Sequence, residues 1–77
     1  MNDQLVDRVA DIVSRELRVP RDSIDLSTTS ADVENWDSLG HLQVCMAIEG
    51  EFGLTLELDL LPELDSVEAI VRHLDAG

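Results

Sequence analysis

The sequence of 77 residues predicts an all-α fold, and two observations support that prediction. Apolar residues recur at the three- and four-residue spacings of amphipathic helices near both ends of the chain. The one stretch that alternates like a β-strand has no second strand to pair with, and a lone strand leaves its backbone groups without a ladder. A chain of this length makes one small domain, which we expect to span residues 1–77 and to bury about 60% of its unfolded surface.

The first helix is predicted over residues 3–18, with Asn2 or Asp3 as its N-cap and Pro20 closing the pattern. Its core face consists of Leu5, Val9, Ile12, Val13 and Leu17. A long loop follows over residues 19–36, rich in Ser, Thr, Asp and Asn. Its apolar residues are expected to pin it to the core, and they are Ile24, Leu26, Val33 and Trp36.

The second helix is predicted from Ser38 to about Phe52, where Gly53 supplies a C′ residue. Its apolar residues form two sectors whose centres lie about 140° apart at about 100° per residue. The sector predicted to pack inward contains Val44, Cys45, Ile48 and Phe52, and the other contains Leu39, Leu42 and Met46. This other sector is either buried in a small bundle or exposed beside Ser38, with Glu49 at its edge. If exposed, it is a docking surface for proteins that must reach the serine.

Residues 54–60, LTLELDL, alternate with period two and on that pattern alone would form a strand. Because no partner strand is apparent, we predict an extended segment through Leu56 and then a short helical turn. The turn is placed from Leu58 to Leu61, with Pro62 ending it.

The last helix is the most clearly marked at its start. Asp65 is its expected cap, and Glu68 stands three residues on, as in a capping box. Its core face consists of Val67, Ile70, Val71 and Leu74.

Charge is distributed unevenly along the chain, whose net charge is −12. Four of the five basic residues lie in the first 21 positions, and residues 22–71 contain twelve acids and no Lys or Arg. Such a surface repels phosphate backbones and anionic lipid, so nucleic-acid and membrane partners are excluded unless the chain mimics DNA. It attracts basic protein patches through long-range steering. An acidic helical interaction module with no prosthetic group is therefore one class of function to keep open.

The one cysteine, Cys45, cannot form an intramolecular disulfide and is predicted to be a small buried hydrophobic residue. The N-terminus, MNDQLVDRVADIV, has neither the basic region nor the apolar run of a secretory signal. We therefore expect a soluble, cytoplasmic chain that is complete from Met1. His41, His73 and Cys45 make no recognisable zinc spacing, and a calcium loop begun at Asp32 would lack its glycine.

Asp37-Ser38-Leu39 stands at the start of the second helical pattern and is the basis of the functional prediction. Either Asp37 or Ser38 can cap the helix, and the free N–H groups beyond them favour an anion, including a phosphate esterified to the serine. Ser38, His41 and Asp37 also supply the residue types of a hydrolytic triad. However, Trp36 replaces the first glycine of the G-x-S-x-G elbow, no strand precedes the serine, and so short a chain has no room for a deep cleft. We therefore predict an attachment point and no catalytic residues, with a local hydrogen bond between His41 and Ser38.

Around this serine the sequence resembles the acyl carrier proteins, and the resemblance spans essentially the whole chain. It rests on Trp36-Asp37-Ser38-Leu39, Leu42, Met46-Ala47-Ile48-Glu49, Glu51-Phe52, Asp65-Ser66-Val67 and Ile70. The resemblance implies a four-helix bundle of the acyl carrier type, with a long first loop and a short third helix. It also implies that Ser38 receives 4′-phosphopantetheine from coenzyme A, whose terminal thiol then carries cargo as a thioester.

The resemblance further implies partners and the residues that meet them. The partners are a phosphopantetheinyl transferase, a loading ligase or acyltransferase, and a downstream synthase or thioesterase, with the carrier acting as a monomer. In the family, acidic residues flanking the second helix meet basic patches on partners, which here implies Asp37, Glu49 and Glu51. The apolar contacts would be Leu39, Leu42 and Met46.

Two glycines depart from the pattern of fatty-acid carriers. Gly40 stands where those carriers commonly have an acidic residue, and Gly50 interrupts the acidic run. The Trp-Asp-Ser-Leu-Gly-His-Leu form resembles discrete carriers of specialised pathways, including polyketide and aminoacyl or peptidyl carriers. A specialised carrier of acyl or aminoacyl intermediates is therefore the favoured function, and a housekeeping fatty-acid carrier is the alternative.

Overall fold

The computed structural model describes residues 3–76, and these residues form an all-α fold, as predicted. Helix α1 spans Asp3–Leu17, α2 spans Ser38–Phe52 and α3 spans Val67–Ala76. Two 3₁₀ turns, Arg21–Ser23 and Leu61–Glu63, lie in the connections between the helices. Over the described residues the four-helix count is not confirmed, because a three-residue 3₁₀ turn stands where the short third helix was expected.

Helix α1 packs against both other helices through the face that its periodicity predicts. Val9, Ile12, Val13 and Leu17 are each no more than 2% exposed. The helix ends where Arg18 adopts a left-handed φ of 59° and the Val19 N–H donates to the Ser14 carbonyl at 3.0 Å. The alternative cap Asn2 lies outside the described residues, and Asp3 is the first helical residue within them.

The loop between α1 and α2 is anchored at several points, as predicted. Ile24 and Trp36 are only 2% and 4% exposed, and three further apolar residues of the loop, Val19, Leu26 and Val33, are half-buried against the core. An isolated antiparallel bridge pairs Thr29 with Ser66, at the start of α3. These contacts make the loop part of the packed structure and not a linker between domains.

The Arg21 guanidinium fixes the beginning of this loop to α1. It donates to the carboxylates of Asp11 at 2.7 Å and Asp7 at 3.1 Å, and to the Ile24 carbonyl at 2.9 Å. Three hydrogen bonds from one planar group hold the turn at a defined angle to the helix.

Two predictions about the second connection are wrong. Pro62 lies inside the 3₁₀ turn and does not end it, because its missing N–H costs no hydrogen bond in the first positions of a helical turn. The cap of α3 is Ser66, whose Oγ accepts from the Ala69 N–H at 3.0 Å, and not Asp65. The helix therefore begins one residue later than the Asp65 cap implied, with Val67 as its first residue.

The core lies between the three helices. Its most deeply buried members from α2 and α3 are each no more than 2% exposed, and they are Val44, Ile48, Val67, Ile70 and Val71. Within residues 3–76, no helix has both the length and the apolar character needed to cross a membrane.

Candidate functional site

Ser38 is the first residue of α2 and is exposed. Of the two candidate caps, Asp37 serves: its Oδ1 accepts from the Gly40 N–H at 2.9 Å. The serine is therefore not needed to cap the helix. Its position leaves it open to a protein that approaches the N-terminal end of α2.

The backbone just before Ser38 lies in close contact with α1 and α2. The Asn35 side-chain amide donates to the Leu17 carbonyl, at the end of α1, at 3.0 Å. The Asn35 carbonyl oxygen faces Gly40, where an added Cβ would lie only 2.1 Å from that oxygen. Gly40 is therefore required by a close backbone approach, which explains why this chain has no acidic side chain at that position.

The His41 ring bonds away from the serine, so the expected hydrogen bond to Ser38 is wrong. Its Nδ1 accepts from the Trp36 indole N–H at 2.9 Å, and its Nε2 lies 2.6 Å from the Leu61 carbonyl oxygen. Because an indole N–H can only donate, Nδ1 is the acceptor and Nε2 carries the proton that is donated to Leu61. With both ring nitrogens engaged and Asp37 capping the helix, the three residues do not form a hydrolytic triad.

The two apolar sectors of α2 differ in solvent exposure, as their spacing around the helix predicts. Val44, Cys45 and Ile48 are 0%, 3% and 1% exposed. The apolar strip, defined as Leu39, Leu42 and Met46, is 66%, 45% and 61% exposed. The alternative in which both sectors are buried is therefore wrong, and an apolar surface lies beside Ser38.

The two acids of α2 have different surroundings. The Glu49 carboxylate accepts from the Leu56 N–H at 2.7 Å and so holds the extended segment that follows the helix. Glu51 pairs with Arg8 at 3.1 Å and lies about 120° or more around the helix from the apolar strip. Glu49 stays at the edge of the strip, whereas Glu51 is turned away from it.

The acidic surface keeps most of its charge uncompensated. Among the described residues, the ion pairs of the arginines engage only two acids of residues 22–71, Glu51 and Glu68. The other ten acids in that range have no arginine partner within the described residues. They are the source of a field that attracts basic protein surfaces.

Cys45 is buried, as predicted, and its Sγ lies 3.6 Å from Nε2 of His41. Burial raises the pKa of the Cys45 thiol, and the negative charge of Glu49 raises it further. The thiol is therefore protonated and shielded at neutral pH. No group of three or more His, Cys, Asp or Glu within residues 3–76 could hold a metal ion.

The N-terminal end of α2 fits a phosphoryl group. Asp37 satisfies one of the N–H groups that a helix start leaves without an intrahelical partner, and the remaining partial positive charge favours an anion. An exposed hydroxyl at this point, an adjacent apolar strip and an acidic surface together define a class of protein. It is a small helical domain built to carry a covalently attached group to partner enzymes.

Comparison with known proteins agrees with this class. The family model described as "Phosphopantetheine attachment site" matches residues 7–74. The chain is 35% identical to an acyl carrier protein of Petrotoga mobilis over 72 residues, which cover 94% of this chain and 85% of the relative. It is 28% identical to an acyl carrier protein of Trieres chinensis over 76 residues, covering 99% and 95%.

The chain therefore belongs to the phosphopantetheine-binding family of acyl carrier proteins. Its prosthetic group is phosphopantetheine. When bound, this group supplies a thiol that holds an acyl cargo as a thioester. Acyl carrier proteins are carriers rather than catalysts, and they work with transferase and synthase partners.

Proposed function

We propose that Ser38 is the attachment residue and that the chain acts as one carrier domain, not as an enzyme. The observation behind this proposal is the exposed Ser38 at the first position of α2, with Asp37 already serving as the cap. In the modification, a bond forms between Ser38 Oγ and the pyrophosphate phosphorus of coenzyme A that carries the pantetheine. The pyrophosphate bond breaks, and the serine proton leaves with adenosine bisphosphate.

The apolar strip and its neighbouring acids are the proposed docking surface. Leu39 and Met46 are each more than 60% exposed, which is costly for a monomer unless a partner covers them. Asp37 and Glu49 lie at the two ends of this surface. A partner that fits it offers an apolar pocket bordered by Lys or Arg, and the proposed partners are a phosphopantetheinyl transferase, a loading ligase or acyltransferase, and a synthase or thioesterase.

The proposed cargo is an acyl or aminoacyl intermediate of polyketide, nonribosomal peptide or related specialised biosynthesis. Gly40 supports this choice over a housekeeping fatty-acid carrier, because the Asn35 carbonyl occupies the space that an acidic side chain at this position would need. A matched loading assay tests whether the cargo is aminoacyl or malonyl. Modified protein is offered to an amino-acid-activating ligase and to a malonyl transferase, and kcat/KM is compared between them.

Mass measurement on the intact protein tests the attachment residue. Incubation with coenzyme A and a promiscuous phosphopantetheinyl transferase should add one phosphopantetheine to the parent chain and none to Ser38→Ala. Ser23→Ala, which removes another exposed serine, is the matched control and should be modified like the parent. A mass gain that persists in a folded Ser38→Ala, or no gain in the parent while a control carrier is modified, would contradict the proposal.

A further inference from the structure

Among the described residues, His41 is the side chain that hydrogen-bonds both to the segment before Ser38 and to the segment between α2 and α3. On one side it accepts from Trp36, two residues before Ser38, at 2.9 Å. On the other it donates to the carbonyl of Leu61, at the start of the second 3₁₀ turn, at 2.6 Å. The indole is 4% exposed, so water offers little replacement for its hydrogen bond.

The other side-chain hydrogen bonds of the residues just before Ser38 reach α1 and α2. The Asn35 amide bonds to Leu17 of α1, and Asp37 bonds to Gly40 of α2. Neither hydrogen bond reaches the segment between α2 and α3. Within the described residues, the hydrogen-bonded link between the start of α2 and that segment therefore runs through the His41 ring.

We propose that His41 is a positioning residue for the modification of Ser38, because its ring holds Trp36 and the Leu61–Glu63 turn in one fixed arrangement beside the serine. The inference rests on the proposed role of Ser38. The ring acts through the residues that it orients and does not touch the reacting atoms. In this arrangement Nε2 carries the proton, since an N–H on Nδ1 would face the indole donor.

Two variants of His41 each keep one of the two hydrogen bonds of the ring and remove the other. His41→Asn keeps an acceptor close to the position of Nδ1 and cannot reach Leu61. His41→Gln places an amide N–H close to the position of Nε2 and leaves the Trp36 indole unpaired. Trp36 is the one tryptophan of the sequence, so its indole N–H gives a single assignable NMR signal.

The NMR result should differ between the variants. We expect the Trp36 indole N–H to shift and to exchange faster in His41→Gln, while the amides of Glu63 and Leu64 stay protected. The reverse pattern is expected in His41→Asn. Unchanged indole and turn signals in both folded variants would overturn the proposed link, and this readout needs no modification of Ser38.

Transferase kinetics test the consequence for Ser38. Loss of either hydrogen bond of the His41 ring should lower the transferase's kcat/KM for the carrier about fivefold, as expected for one hydrogen bond worth about 1 kcal/mol. Trp36→Phe keeps the aromatic bulk and removes only the donor. Combined with His41→Gln, it should add no further loss, because both changes break the same bond.

The outcomes separate this inference from the attachment proposal. Parental kcat/KM in folded His41→Asn and His41→Gln would show that the ring is only structural. Additive losses in the Trp36→Phe and His41→Gln pair would show that the two residues act independently. Failure of the parent itself to be modified would instead contradict the role of Ser38, and the NMR comparison would still decide whether His41 links the two segments.

Discussion

The two faces of α2 consist of the same kinds of residue, but one face is buried and the other is exposed. Val44 and Ile48 are 0% and 1% exposed and pack against the other helices, whereas Leu39 and Met46 are 66% and 61% exposed. Both faces are apolar, so composition cannot tell them apart. Their difference shows that one apolar face of the helix is enough to pack the fold, while the other face stays in solvent.

The largest predicted difference between the faces is in stability. Ile48→Ala should lower the free energy of unfolding by about 2–5 kcal/mol, because it removes buried methyl groups and leaves a cavity. Met46→Ala should change it by no more than about 0.5 kcal/mol, because the side chain is mostly in water already. Denaturant melts of the two variants beside the parent measure both values. Equal losses would mean that the apolar strip belongs to the core.

Two glycines of α2 provide a second comparison between a packed and an open position. An added Cβ at Gly40 meets the Asn35 carbonyl, whereas at Gly50 nothing lies within 4 Å. Gly40→Ala should therefore destabilise the protein by about 1–3 kcal/mol, through overpacking. Gly50→Ala should stabilise it by about 0.5–1 kcal/mol, through helix propensity. Thermal melts decide the point, and a stabilised Gly40→Ala would show that the loop before Ser38 is not held close to α2.

Two substitutions of Glu49 separate the effect of its hydrogen bond to Leu56 from the effect of its charge. Glu49→Gln keeps an acceptor for the Leu56 N–H, whereas Glu49→Ala removes it and should cost about 1–3 kcal/mol. Glu49→Gln should keep most of the stability and slow the second-order reaction with a transferase, most clearly at low salt. Rates at low and high salt, compared with the parent, measure this. A salt dependence and rate identical to the parent's would remove Glu49 from the docking surface.

Much of the fold follows from the sequence because helical periodicity is a local property. The bounds of α2, its C′ glycine and its two sectors were all predicted from spacing and from known end signals. The segment after α2 was harder, since Pro62 is compatible both with ending a turn and with starting one. The cap of α3 was misplaced for a similar reason, because Asp65 and Ser66 are both good capping residues.

The attachment serine was predictable, but the contacts that orient it were not. Trp36 and His41 are five residues apart across a loop-to-helix boundary, where no periodic rule predicts which side chains meet. The close approach of Asn35 to Gly40 depends on how the loop returns to α1, which is a tertiary property. A glycine inside a helix is an ambiguous signal for such a contact, because Gly40 lies at a close backbone approach and Gly50 does not.

The central claim is that α2 folds with one face and docks with the other, and its most direct test is to remove the docking face without disturbing the fold. The double variant Leu39→Ala, Met46→Ala should have a free energy of unfolding within about 1 kcal/mol of the parent's, because both residues are largely exposed. Its second-order rate constant with the phosphopantetheinyl transferase should fall at least about tenfold, as expected when apolar anchors of an interface are truncated. A rate constant equal to the parent's, measured on the same folded sample, would contradict the claim.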